Sequence, residues 1–392
     1  MGQLPSNISS SHPNTYSQNI YSQNIYSQNN IHAPALPLAI LPDQPLTALA
    51  PMQDITDQPF MQLISEFGSP DYYFTEYFRV HSSSHLEKHI LRAITDQQTN
   101  RPIFAQLIGE SIPDLLRTVE LLRPYPIAGI DLNLGCPAPR VYRKNVGGGL
   151  LRDLSTLNQI LGSLRQHITG LFTVKMRLGF DSTDHFPALL ELLQTHQIDL
   201  LSLHGRTVKE LYRGPVHYAY IRQAVTYLDC PVFANGNITS ADRAMEVLTE
   251  TQAAGVMVGR AAIRNPWIFQ QIRQKLTGQP LSEINLGQVY DYITQLYQRT
   301  YPVNKPPMTL PEPTVNLATV RGHIQRMKKY LNFIAQSVDP AGAFLYDIRR
   351  TQTPEDFWEV CQRHLLTEPE TPFALEPYPD VIARPSCEDM VT

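Results

Sequence analysis

The residues of this chain best suited to chemistry sit in short polar clusters, each directly after an apolar run. The most distinctive is Asn133-Leu-Gly-Cys-Pro137, which ends the alternating stretch Gly129-Ile-Asp-Leu-Asn-Leu134. Ile130, Leu132 and Leu134 point one way and Asp131 and Asn133 the other, the signature of a strand. Cys136 is thus presented at a strand tip, with Pro137 ending the ladder. A thiol with a reference pKa of about 8.5 is mostly protonated at neutral pH and can serve as a general acid, whereas a nucleophilic cysteine needs the thiolate. The other cysteines, Cys230, Cys361 and Cys387, are scattered and form no CxxC pair, so neither a zinc site nor a disulfide framework is expected. Further clusters are Pro51-Met52-Gln53, Gln106, Lys175 with Arg177, His204 with Arg206, Asn235-Gly236-Asn237 and Gly259-Arg260.

The elements that must position these groups are eight short apolar runs. Strands are expected at Thr47–Ala50, Tyr72–Tyr77, Ile103–Leu107, Gly129–Leu134, Phe172–Met176, Leu200–Leu203, Val232–Ala234 and Gly255–Val258. Amphipathic segments such as Ile112–Leu122, Leu154–Gln166, Phe186–His196 and Ala241–Thr249 lie between them. This alternation predicts an α/β protein, a TIM (β/α)8 barrel rather than an open sheet. In such barrels chemistry gathers at the C-terminal strand ends, where the polar clusters fall.

Seven polar strand ends in register are hard to explain as core groups, because each would need its own partner. A bound polar cofactor satisfies them together. Asn235-Gly236-Asn237 and Gly259-Arg260 close the seventh and eighth runs, where barrels commonly bind phosphate on backbone N–H groups. There is no Rossmann fingerprint and no P-loop. A phosphorylated cofactor with a polar ring fits, namely flavin mononucleotide (FMN). After Cys136 come a basic loop, Arg140, Arg143 and Lys144, and then Gly147-Gly148-Gly149, read as a hinge. Cations beside Cys136 would push it toward thiolate, so Arg140 and Arg143 are expected at the loop surface.

The 392 residues exceed one ordinary domain. Residues 1–44 are rich in Ser, Asn and Gln and repeat Tyr16-Ser-Gln-Asn-Ile at Tyr21, which reads as a disordered leader without the order of a signal peptide. The barrel is assigned to residues 45–270, a helical domain to 271–366 and a flexible tail to 367–392. The helical domain follows from the periodic segments Asn285–Arg299, Val320–Ile334, Ala341–Arg350 and Pro354–Leu365, with a Pro-rich loop at 302–315. A net charge of -4 excludes a uniformly basic surface, so nucleic acid would need local patches. One candidate is Arg321, His323, Arg326, Lys328 and Lys329, either a solvated helix face or an RNA surface. Unpaired cysteines and no apolar run of roughly 20 residues fit a cytoplasmic protein without a membrane span. A monomer without metal is expected.

Asn133-Leu-Gly-Cys-Pro137 closely resembles the signature of the tRNA-dihydrouridine synthases. Ala50-Pro-Met-Gln53, Ala105-Gln-Leu107, Val174-Lys-Met-Arg-Leu-Gly179, Leu203-His-Gly-Arg-Thr207, Ala234-Asn-Gly-Asn-Ile238 and Val258-Gly-Arg260 resemble that family's motifs in order. The resemblance runs from about Leu46 to Ile334, specific through the barrel and weak beyond it. The Arg140–Lys144 loop, and Arg206-Thr207 with Tyr212-Arg-Gly214, look most like the branch that modifies U16. His217-Tyr218 departs from the Asp- or Asn-Trp pair of many members, which puts local packing there in doubt.

The resemblance implies flavin-dependent reduction of the uridine C5–C6 bond in tRNA, with NADPH reducing the flavin. Pro51, Met52, Gln53, Gln106, Lys175, His204, Asn235, Gly236, Asn237, Gly259 and Arg260 would bind FMN. Cys136 would protonate C5 after hydride reaches C6. Asn133, Arg140, Arg143, Arg177 and Arg206 would face the substrate, and Arg321, Arg326, Lys328 and Lys329 the tRNA backbone. Two other readings compete: an FMN barrel reductase of a free pyrimidine or enone, and a tRNA-binding protein whose catalysis has decayed.

Overall fold

A computed structural model of the chain describes residues 36–39, 44–301 and 317–382. Nine parallel strands form one sheet: β1 Leu46–Leu49, β2 Tyr73–Phe74, β3 Phe78–Arg79, β4 Ile103–Ile108, β5 Gly129–Leu134, β6 Leu171–Arg177, β7 Leu200–His204, β8 Val232–Asn235 and β9 Gly255–Val258. The order is β1-β9-β8-β7-β6-β5-β4-β2, with β3 also on β4. The expected second strand is therefore broken, and β2 and β3 together make one stave of an eight-stave (β/α)8 barrel. A bridge from Ala48 to Tyr72 brings the two edges together, with Leu49 N–H donating to Tyr72 at 3.0 Å.

Helices start where the sequence supplies caps. The Asp57 carboxylate accepts from Phe60 N–H before the helix Gln58–Gly68, and Ser240 caps Ala241–Thr251 through Arg243 N–H. Asn285 with Gln288 and Thr353 with Asp356 form capping boxes for Leu286–Thr300 and Pro354–Leu365. Each helix buries one stripe on the barrel or on its neighbours.

The helical part after the barrel is knit to it. Tyr330, on the helix Leu317–Ile334, stacks on Phe60 at 5.7 Å between ring centroids, and Phe67 meets Trp267 and Tyr292 edge-on. Tyr292 Oη donates to the Ile263 carbonyl at 2.9 Å. The described residues make one compact unit, so the change at about residue 270 is one of secondary structure, with no gap in packing.

The expectation of a flexible tail is corrected over residues 367–382, and the expected leader falls almost wholly outside the described residues. Residues 367–382 are not loose: Phe373 and Val381 are buried, Phe373 N–H donates to Ile284, and Tyr378 N–H to Gln336. Of the expected leader, only 36–39 and Gln44 lie among the described residues. There Leu36 and Leu38 pack under the strand starts, and Tyr72 Oη donates to the Leu38 carbonyl at 3.1 Å. The Pro-rich stretch 302–315 lies outside the described residues.

Candidate active site

The C-terminal strand ends open into a cavity of about 370 Å³. Pro51, Met52, Gln53, Asn133, Cys136, Lys175, Arg177, His204, Asn235, Gly236, Asn237, Gly259 and Arg260 all line it. The opposite wall comes from the helical part: Lys329, Phe333 and Gln336 lie on one face of Leu317–Ile334 and the turn after it, with Pro377 beside them.

Cys136 is 7% exposed. Its backbone N–H and that of Gly135 both donate to Asn133 Oδ1, at 2.9 and 3.0 Å, which fixes the turn at the end of β5. Burial pushes the thiol above its ordinary value, and it outweighs the opposing pull of the Ala138 N–H, Arg177, Arg140 and Lys175. The thiol is therefore held protonated, as a proton donor must be. Arg140 and Arg143 are exposed, as expected.

Lys175 Nζ has one side-chain contact, a long 3.4 Å bond to Asn235 Oδ1. Burial, with Arg177 nearby, brings it down to about 8, so at neutral pH it remains mostly a cation. His204 is buried beside Arg177, Lys175, Arg206 and Arg260. Burial first and those cations next hold it well below its usual range, so it is neutral. Gly236 adopts a φ of 117°, and a Cβ there would lie 2.9 Å from His204 Cδ2, so both conformation and space require glycine. Asn237 follows at a φ of 47°.

The donor set fits a phosphorylated flavin. The Gln53 Oε1 atom is buried without a partner, which suits a ring N–H. The backbone N–H groups of Gly236, Asn237 and Arg260 have no partner among the described residues. The Arg260 guanidinium rests over the Tyr212 ring at 4.5 Å and pairs with no carboxylate. Together these supply a cationic, N–H-lined cradle for phosphate.

Several expected site residues do other work. Gln106 lies beneath the cavity: its Nε2 donates to Asp131 at 2.7 Å and its Oε1 accepts from Asn133 at 2.8 Å. Arg177 spends its donors on the carbonyls of Gly135, Thr207 and Leu211. Arg206 binds the Gly214 carbonyl at 2.6 Å. Both arginines hold loops in place. Gly147, Gly148 and Gly149 are spacers, not a hinge: a Cβ on Gly148 would lie 2.5 Å from Val208 Cγ2 and one on Gly149 2.6 Å from the Tyr142 carbonyl oxygen.

The basic helix residues do not act as one face. Arg326 pairs with Asp57 at 2.5 Å, Lys328 donates to the Arg349 and Thr351 carbonyls, and only Lys329 lines the cavity. Arg321 is exposed and His323 is buried against Tyr297 and Tyr301.

Residues missed from sequence include Arg264, Tyr212 and Asp131. Arg264 lines the cavity and ties Ser337 Oγ at 2.6 Å and the Leu375 carbonyl at 2.9 Å to the barrel. Partners so distant along the chain leave no local signal. The guanidiniums of Arg177 and Arg260 both lie over the Tyr212 ring, at 5.3 and 4.5 Å from its centroid. Asp131 did have a signal, since it shares the inward face of β5 with Asn133. Among the described residues no group of three His, Cys, Asp or Glu could hold a metal, and no helix is long and apolar enough to cross a membrane.

A parallel barrel with a neutral histidine, a buried lysine and a protonated thiol around one rim cavity has the make-up of an enzyme active site. Comparison with known proteins narrows this. The family described as dihydrouridine synthase (Dus) matches residues 48–352, and the chain belongs to it. A probable tRNA-dihydrouridine synthase of Helicobacter pylori is 36% identical over 236 residues, 59% of this chain and 71% of that protein. The tRNA-dihydrouridine synthase B of Pasteurella multocida is 30% identical over 257 residues, 64% of this chain and 77% of that protein. A tRNA-dihydrouridine(16) synthase of Neisseria meningitidis is 30% identical over 323 residues, 80% of this chain and 91% of that protein.

Proposed function

We propose that this protein reduces a uridine of tRNA to 5,6-dihydrouridine, using FMN as cofactor and NADPH as reductant. One observation carries the reading: in a chain of the dihydrouridine synthase family, a buried protonated thiol shares a cavity with an unpartnered amide oxygen and a phosphate-type cradle. FMN, when bound, supplies the hydride that C6 of uracil receives. Cys136 holds the proton that C5 must then gain. Lys175 places a cation where a reduced ring gathers negative charge. Arg260 and the N–H groups of Gly236 and Asn237 hold the phosphate. Neutral His204 braces that turn without adding charge, and Pro51, Met52, Gln53 and Gly259 frame the ring. Gln106 acts from behind, through Asn133.

A uridine stacked inside folded tRNA must be extruded to reach this cavity, at a cost of a few kcal/mol. Exposed Arg140, Arg143 and Arg321, with Lys329 at the mouth, are the cations placed to offset that cost on phosphates. We assign U16 as the position: a tRNA-dihydrouridine(16) synthase is similar over 80% of this chain. The test is Cys136→Ala loaded with FMN. It should keep the flavin spectrum and lose dihydrouridine formation by about 100-fold or more. A wild-type rate would remove Cys136 as the acid, and dihydrouridine mapped elsewhere than position 16 would refute the assigned site.

A further inference from the structure

The floor of the cavity carries a continuous line of hydrogen bonds whose far end, Asp131 and Thr173, has no part in the reaction as described. Thr173 Oγ1 donates to Asp131 Oδ1 at 2.6 Å, and Gln106 Nε2 donates to Asp131 Oδ2 at 2.7 Å. Asn133 Nδ2 donates to Gln106 Oε1 at 2.8 Å. Asn133 Oδ1 then accepts the two N–H groups of Gly135 and Cys136. Asp131, Gln106 and Thr173 are buried, and none of them lines the cavity.

The two ends of this line make demands that only one arrangement meets. The backbone N–H groups of the Cys136 turn require an acceptor, and a carboxylate can only accept. Each amide between them must therefore present oxygen toward the turn and nitrogen toward Asp131. Without the carboxylate, Gln106 Nε2 is a buried donor with nothing to bind. Such a group swings away or leaves its full desolvation cost in place, and either result frees Asn133 from one side. We infer that Asp131 is a positioning residue for Cys136: through Gln106 and Asn133 it orients the amide line that holds the Gly135–Cys136 turn and aims the thiol into the cavity. This deepens the function proposed above and rests on it.

The charged group facing Asp131 is Lys175 on β6, and the remaining neighbours are neutral. Burial pushes Asp131 up to about 6 against the pull of Thr173, Gln106 and Lys175, so the acceptor-only form prevails at neutral pH.

The test uses the full chain loaded with FMN. Asp131→Leu removes the acceptor. Asp131→Asn keeps one, because its Oδ1 can still meet Gln106 while its amide nitrogen donates to Thr173 Oγ1. Asp131→Val removes the acceptor with a smaller side chain that suits a strand, which provides a second disrupting variant if Asp131→Leu does not fold. The first readout is alkylation of Cys136 by iodoacetamide, followed on its own peptide. It should rise about tenfold in the two disrupted proteins and stay within about threefold of wild type in Asp131→Asn, as a loosened turn exposes its side chain. The second readout is single-turnover transfer from the reduced protein to tRNA. It should fall by about 100-fold in the disrupted proteins, the usual effect of displacing a reacting group by about 1 Å, while reduction by NADPH stays within about threefold. Wild-type alkylation and transfer in the disrupted proteins would overturn the assignment, as would equal loss of the NADPH step. Wild-type protein that forms no dihydrouridine would sink the proposed function instead, and the alkylation rates would still judge the turn.

Discussion

The arginines inside this molecule and those outside it do opposite jobs. Arg177, Arg206, Arg264 and Arg326 sit at or near the cavity, yet their donors go to the protein's own carbonyls and side chains, Asp57 in the case of Arg326. Arg140, Arg143 and Arg321 stand in solvent. A guanidinium carries five donors in a rigid fork, so one buried arginine can pin several loops at once. The same fork in solvent is available to phosphate. Arg260 is the exception inside: it lines the cavity over the Tyr212 ring and has no carboxylate partner among the described residues. The lesson is that charge near a site does not identify a ligand contact until the donors have been followed to their partners.

That contrast can be broken from either side. Arg326→Ala should lower stability by roughly 3 kcal/mol, because the part-buried Asp57 carboxylate would lose the guanidinium it pairs with. Thermal unfolding measures this, and an unchanged melting point would move Arg326 to the binding surface. Glu76→Gln probes the same inside cluster. Burial, with Asp57 and Asp54 nearby, pushes Glu76 up to about 8. The folded state thus holds a proton that the unfolded state has lost, and wild-type stability falls as pH rises from about 4.5 to about 8. The glutamine variant keeps the acceptor for Ile55 N–H and should flatten that slope, gaining roughly 2 kcal/mol at pH 9 and nothing at pH 4. Parallel melting curves of the two proteins across that window would disprove the buried charge. The smallest effect is expected outside. Arg140→Ala with Arg143→Ala should leave the melting point alone, weaken tRNA binding about tenfold and cut the slope of log affinity against log salt by about 1 to 2. An unaltered slope would mean that this loop misses the phosphates.

The barrel was legible in sequence because period-two alternation and polar strand tips are local signals, as in Gly129–Leu134 and Val232–Asn235. The rim residues followed from the same rule, since C-terminal strand ends converge wherever such a barrel closes. The arginines' targets were not legible. Arg177 reaches Leu211 and Arg264 reaches Leu375, and long side chains carry no mark of which distant loop they will meet. Glycine was misjudged for a related reason. Gly147-Gly148-Gly149 reads equally as freedom or as closeness, and only the neighbours Val208 and Tyr142 decide for closeness. The depth of Gln106 was hidden too, because pattern gives the face of a strand and not the height of a side chain along the barrel axis.

The Arg264 clamp on Ser337 and Leu375, with Pro377 in the cavity wall, has a consequence for biosynthesis. The chamber that Ala50 begins is finished by Pro377, a residue synthesised more than three hundred codons later. A nascent chain can complete its staves while still tethered to the ribosome, but it has no far wall to offer until that stretch has emerged. On the function proposed above, a cofactor held in the chamber would meet its complete wall only after Pro377 has been made.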